Sequence, residues 1–264
     1  MWSRPLGLPV LAAALAASAC APAGSLEQKA RASDEWTHSY PLTPDGELQI
    51  TNTNGSVEVE AAAGSTVDVR AERIAHATTE TAARDLLAHV QIGDTATSNR
   101  VAIETQRIPG VLIGVGFEVQ YHVKVPPAAT VRVRTANGTI RVAGVTGKVS
   151  LTTTNGGVVG RALAGTIEAR ATNGSVDVEV LEGTAEFIDL RSINGRVDLA
   201  VPNTMNANLS ATTANGRAQV TDLPFESFGD PTRDQRRLRG RINSGGMPIE
   251  LNATNGSIHV RGHE

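Results

Sequence analysis

Asn-Gly recurs along this chain at a fixed interval, and that interval restricts the fold more than any other feature of the sequence. The pairs Asn137-Gly138, Asn155-Gly156 and Asn173-Gly174 are 18 residues apart, and Asn194-Gly195 follows 21 residues later. Six and four residues before each Asn stand Val131 and Val133, Val149 and Leu151, Ile167 and Ala169, Ile188 and Leu190. Three and five residues after it stand Ile140 and Val142, Val158 and Gly160, Val176 and Val178, Val197 and Leu199. Each copy therefore reads as strand, turn, strand, with alternate residues on one face. Asn54-Gly55, Asn215-Gly216 and Asn255-Gly256 sit in the same frame, making seven copies. Self-similarity on this scale identifies a repeat architecture.

The Asn-Gly pair has a backbone task, since Gly adopts φ > 0 without steric penalty and Asn tolerates it next best. A second glycine ten residues after the Asn marks another corner at Gly147, Gly165 and Gly183. Two-residue Asn-Gly loops also join antiparallel hairpins, and the inward parity across such a turn equals that across a coil corner. Parity leaves both open. Cover favours the coil: a long meander exposes its apolar face, whereas stacked coils close their own core. The position two before the Asn is small in every copy (Asn52, Thr135, Thr153, Ala171, Ser192, Thr213, Ala253), as a narrow interior requires. The expectation is an all-β chain, a parallel β-solenoid of 18 to 21-residue coils with one short helix in an N-terminal insertion.

The repeat resembles that of the bacterial putative adhesin family, a domain of unknown function rich in T-x-N-G repeats. The resemblance runs from Leu42 to Val260 and is carried by Gly46-Glu-Leu-Gln-Ile-Thr-Asn-Thr-Asn-Gly-Ser-Val-Glu-Val59, by Val125-Pro126, and by Ile249-Glu-Leu-Asn-Ala-Thr-Asn-Gly-Ser-Ile258. It implies a β-solenoid on a cell-surface or envelope protein, and it carries over no catalytic residues.

The first 20 residues read as an export signal. Arg4 supplies the positive charge, Leu6 to Ala17 a short apolar run, and Ala17-Ser18-Ala19 the small residues before cleavage. Cys20, the only cysteine, follows at once. Two readings stand: lipidation of Cys20, which the coincidence of position favours, or ordinary cleavage at Ala-x-Ala. Ala21 in place of Asp then points to the outer membrane of a two-membrane bacterium. Residues 21–35 read as a tether and 36–264 as the solenoid domain, with Trp36 and Tyr40 covering its first coil. A lone cysteine allows no intramolecular disulfide, so stability rests on packing and ladder hydrogen bonds. The net charge of −3 gives no nucleic-acid footprint.

Ala82, Ala83, Leu86, Leu87 and Val90 fall at helical spacing and predict a helix over Thr79 to His89 that caps or flanks the solenoid, or docks a partner or a membrane. Thr221 to Asn243 interrupts the frame and carries Arg233, Arg236, Arg237, Arg239 and Arg241. This arginine loop is either a solvated surface or a grip for phosphate, lipopolysaccharide or acidic glycan. The last coil ends at Glu264 with no evident cap, and His259 and Arg261 are expected to blunt its edge.

Reaction chemistry is missing from the pattern. There is no G-x-S-x-G elbow, and Gly114-Val-Gly116 lacks the rest of a dinucleotide fingerprint. The histidines are dispersed, so no metal or cofactor is expected. Glu58 with Glu60, Asp177 with Glu179, and Asp189 beside Arg191 are acid groupings that a glycan-active β-helix enzyme could use. Their alternation with Val176 and Val178 reads more simply as solvated strand surface. The sequence thus points to a non-enzymatic envelope lipoprotein, anchored by its N-terminal lipid, that binds a glycan, lipid or protein. The alternative is a structural or stress-linked component acting through end-to-end stacking or a protein partner.

Overall fold

The computed structural model describes residues 30–106, 115–229 and 235–264, with residues 182–184 followed only as part of their strand. Cys20, the export segment, most of the tether and Arg233 lie outside the described residues. The elements in order are β1 (Ala30–Pro41), β2 (Glu47–Asn54), β3 (Val57–Ala61), β4 (Thr66–Ala77), α1 (Glu80–His89), β5 (Ile92–Thr97), β6 (Arg100–Thr105), β7 (Gly116–Val125), β8 (Thr130–Asn137) and β9 (Ile140–Ala143). They continue as β10 (Val149–Asn155), β11 (Val158–Asn173), β12 (Val176–Asn194), β13 (Val197–Pro202), β14 (Ala207–Asn215), β15 (Ala218–Thr221), β16 (Phe225–Ser227), β17 (Arg237–Ile242), β18 (Met247–Asn255) and β19 (Ile258–His263).

The seven repeats lie on one another in register, Asn over Asn. Strands before the turn pair in parallel as β2, β8, β10, β11, β12, β18 and β14. Strands after it pair in parallel as β3, β9, β11, β12, β13, β19 and β15. The long β11 and β12 serve both rows, bending through register shifts between Gly160 and Thr166, where Gly165 takes φ +65°. Residues of the inward frame from Leu48 to Val260 are buried, except Ala218 and Val220 on β15, which are half-buried. Each large aliphatic side chain in that column contributes about 1.5–3 kcal/mol by leaving water.

Three expectations need correction. The sheet is mixed rather than purely parallel: β1, β4 and β7 pair antiparallel beyond the first coil, as do β5 with β6, β16 with β17, and β17 with β14. The closing coil is not at the end. β18 and β19 lie between the Asn194 coil and the Asn215 coil, so the Asn215 coil is terminal and His259 and Arg261 belong to an interior strand. Third, β1 begins at Ala30, so Ala30 to Glu35 are sheet rather than tether.

At the other end Tyr40 is buried and Trp36 is half-buried, stacked on His38 with ring centroids 4.2 Å apart. Helix α1 matches its sequence reading. Thr79 caps it by accepting from the Ala82 amide, and Ala83 and Leu87 are buried on its inner face. The helix packs on β4 and β1, so its apolar stripe serves the fold itself. Against the first coil, Tyr121 Oη of β7 and Thr105 Oγ1 of β6 are 2.8 Å apart, and Thr105 Oγ1 donates to Asn52 Oδ1 of β2 at 2.9 Å. Burial pushes the Tyr121 phenol up to about 12, against a weaker opposing effect of Thr105.

Candidate functional site

The turn residues form a continuous edge. Asn137 Nδ2 donates to Asn54 Oδ1, Asn155 to Asn137, Asn173 to Asn155, Asn194 to Asn173, Asn255 to Asn194 and Asn215 to Asn255, all at 2.7–2.8 Å. Asn54 Nδ2 closes the first rung on Phe117 O. Beside this ladder Gly156 N–H donates to Asn173 O, and a Cβ at Gly156 would stand 2.1 Å from Gly138 O. Close approach of neighbouring coils therefore requires these glycines, beyond the φ preference read from sequence. The small inward residue also has a polar task. Thr153, Ser192 and Thr213 donate their hydroxyls to the carbonyls of Gly138, Gly174 and Gly256 on the adjoining coil. Thr135 Oγ1 has no partner among the described residues; the Gly55 carbonyl on the coil beside it accepts instead from Asn52 Nδ2 of Gly55's own coil.

The arginine run is not a loop where it is described. Arg237, Arg239 and Arg241 alternate on the outer face of β17, while Leu238 and Ile242 point inward and seal the β14 side of the terminal coil. Alternation of Arg with Leu, Gly and Ile is the strand signal, obscured in the sequence because β17 runs opposite to the repeat frame. Arg241 pairs with Glu226 at 2.6 Å. Arg237 and Arg239 have no acid partner among the described residues. Most other outward arginines do: Arg132 holds Glu47, Arg141 holds Glu58, and Arg196 holds Asp198. Arg100, Arg134, Arg217 and Arg261 are also without one among the described residues.

Arg236 and Arg237 meet Arg191 across a groove whose floor includes Ile193, Thr212, Ala214, Asn252 and Thr254. Sequence separation hid this meeting, because Arg191 and Arg237 are brought together only by the insertion of β18 between β12 and β14. Asp189, 3% exposed, anchors the groove: Arg191 Nε donates to Asp189 Oδ1 at 2.7 Å and Arg170 to Asp189 Oδ2 at 2.7 Å. Its hydrogen bond to Asp189 holds the Arg191 guanidinium above its ordinary pKa, with Glu250 adding to the effect. Glu168 nearby is held below the usual carboxylate range, first by its hydrogen bond to Lys148 and then by Arg170. The groove thus presents guanidinium groups and hydroxyl-bearing side chains on a rigid sheet, an arrangement suited to an anionic, hydroxyl-rich ligand.

The other two acid groupings lie elsewhere, and Asp177, Glu179 and Glu58 are engaged in ion pairs. Asp177 and Glu179 face Arg161 at 2.6 and 4.0 Å. Glu58 is 3.1 Å from His122 Nδ1 and 3.2 Å from Arg141. Glu58 and His122, with Glu60, Asp68, Arg70 and Lys124, border a second groove of mixed sign. Its contribution from β4 and β7 was not legible in the sequence. Among the described residues no group of three His, Cys, Asp or Glu side chains could hold a metal ion, and no helix is long and apolar enough to cross a membrane.

Similar solved structures include a putative cell adhesion protein from Clostridium sporogenes, 10% identical with a TM-score of 0.47, covering 87% of this chain and all of that one. Another is a putative adhesin from Bacteroides fragilis, 9% identical with a TM-score of 0.34, covering 87% of this chain and 97% of that one. Comparison with curated proteins finds no match. The family model for Toastrack DUF4097 matches residues 37–261, the whole of the Leu42 to Val260 span over which the repeat was read, and the chain belongs to that family.

Proposed function

We propose that this protein is a non-enzymatic, adhesin-like binding module of the cell envelope, tethered by a lipid on Cys20 and holding an acidic ligand against the arginine face of β17. The observation that carries the reading is that Arg237 and Arg239 stand on one outward face with no acid partner among the described residues, beside the groove shared with Arg191 and Arg236. Arg237, which lines the groove without an acid partner among the described residues, and Arg239 beside it favour carboxylate, phosphate or sulfate, and the flanking Thr212, Asn252 and Thr254 suit a glycan. The acid groupings at Glu58, Asp177 and Asp189 act in this reading as partners of arginine, and no catalytic role is assigned to them.

The test uses the double variant Arg237→Ser, Arg239→Ser, which leaves the buried Leu238 and Ile242 in place. Wild-type protein is expected to bind an acidic polysaccharide, or vesicles containing anionic lipid, with an affinity that falls as salt rises. Losing two surface cations should weaken binding by about 2 kcal/mol, roughly thirtyfold, with circular dichroism unchanged. Undiminished binding of the variant to both probes would remove β17 from the contact.

A second reading, end-to-end association, is favoured by Ala218 and Val220, the inward-frame residues that stay half-buried on the terminal coil. Sedimentation compares wild type with Val220→Lys; the fully buried Ile258 lies inside the stack and cannot report on its end. Association that Val220→Lys abolishes supports stacking, and a wild-type monomer at all concentrations dismisses it.

A further inference from the structure

We propose that Asn215 is a modification site, the turn asparagine at which the folded protein deamidates first. An Asn followed by Gly is open to attack by the next backbone nitrogen on its own side-chain carbon, because Gly has no Cβ to obstruct the ring that forms. Seven such pairs are present, and the fold protects them unequally. In six turns the Gly N–H donates to the Asn carbonyl of the next coil, from Gly55 to Asn137 O at 2.8 Å through Gly256 to Asn215 O at 3.0 Å. Gly216, on the terminal coil, has no following coil and no acceptor for its N–H among the described residues.

The same turn is the exception in the side-chain ladder. Asn137, Asn155, Asn173, Asn194 and Asn255 each donate through Nδ2 and accept through Oδ1. Asn215 donates to Asn255 at 2.8 Å, but its Oδ1 accepts no bond among the described residues. An internal asparagine must break a backbone hydrogen bond and leave two rungs before its Cγ can meet the nitrogen. Asn215 leaves one rung, and its attacking nitrogen is unengaged among the described residues.

The Gly216 nitrogen, losing its proton to solvent base, forms a bond to Asn215 Cγ. The Cγ–Nδ2 bond breaks, and ammonia departs with a proton from solvent, leaving a cyclic imide. Water then adds at either imide carbonyl, giving aspartate or isoaspartate at this position. The product replaces the last donor of the ladder by an anion facing Asn255 Oδ1, next to Ala214 on the edge of the arginine groove. Weakened anion binding by the product rests on the function proposed above; the reaction itself does not.

Intact protein is incubated in mildly alkaline buffer below its unfolding temperature, and proteolytic peptides are fragmented to locate each amide-to-acid mass gain. Asn215 is expected to convert about tenfold faster than Asn155 or Asn173, the ratio set by hydrogen bonds that the internal turns must first break. The chain incubated in denaturant should convert all seven at similar rates. Equal rates at Asn155, Asn173 and Asn215 in the folded protein would overturn the proposal, as would an unaltered Asn215 at times when the denatured chain has reacted. Binding of Asn215→Asp to an acidic polysaccharide reads the consequence separately, so the reaction can stand where the ligand assignment fails.

Discussion

Removal of residues 247–264 is expected to undo two coils, not one. In a solenoid wound in sequence order, cutting away the last repeat exposes a single neighbour, and nearest-neighbour coupling limits the damage. Here β18 and β19 are the parallel partners of both β12 with β13 and β14 with β15. Without them β14 keeps only its antiparallel partner β17, and β15 keeps no strand partner among the described residues. The faces around Leu190 and Leu199 on one side and Leu209 and Ala211 on the other lose cover at once. Limited proteolysis of the truncated chain should therefore cut throughout 203–244 and leave a resistant fragment ending near Asn194. Resistance of the 203–244 segment equal to that in the full chain would refute the inserted order.

The second large effect is expected at Gly156→Ala. The added Cβ would sit 2.1 Å from Gly138 O, a backbone atom of the neighbouring coil, at a residue whose φ is +149°. Neither coil can retreat freely, since both carry the asparagine ladder and the inward valines. Overpacking of this kind costs about 3 kcal/mol, and in a chain of this size that corresponds to a Tm lower by roughly 6–12 °C. Gly229→Ala is the control, because an added Cβ there meets nothing within 4 Å among the described residues. Thermal denaturation followed by circular dichroism distinguishes the two; equal melting temperatures would show that the coils are not in contact at the turn.

The repeats were legible because their physics is local and recurrent. Alternating Val, Ile and Leu around Asn-Gly defines which residues face inward, and the register of β8 on β10 on β11 follows from stacking like on like. Helix α1 was legible for the same reason, its period changing from two to that of a helix. The order of the last coils was not, because the Asn194, Asn215 and Asn255 coils present the same frame and any of them could stack on another. The segment from Thr221 to Asn243 decides the matter by folding back as β16 and β17, and its alternation is too short to stand out beside five arginines. For the groove, Arg236 and Arg237 were read from charge alone and Asp189 beside Arg191 from their spacing on one strand, whereas the meeting of Arg191 with Arg236 and Arg237 depends on that unread order.

The inserted position of β18 and β19 also imposes a timetable on the chain as it emerges from N-terminus to C-terminus. Coils from Asn54 to Asn194 can zip onto one another as each is completed, a progression of short loop closures. The Asn215 coil is made next but has no seat, because its place beside the growing stack belongs to a segment not yet available. Until residues 247–264 arrive, the unfinished molecule carries a bare strand edge at β12 and β13, and the arginines of β17 guard the detached piece with like charge.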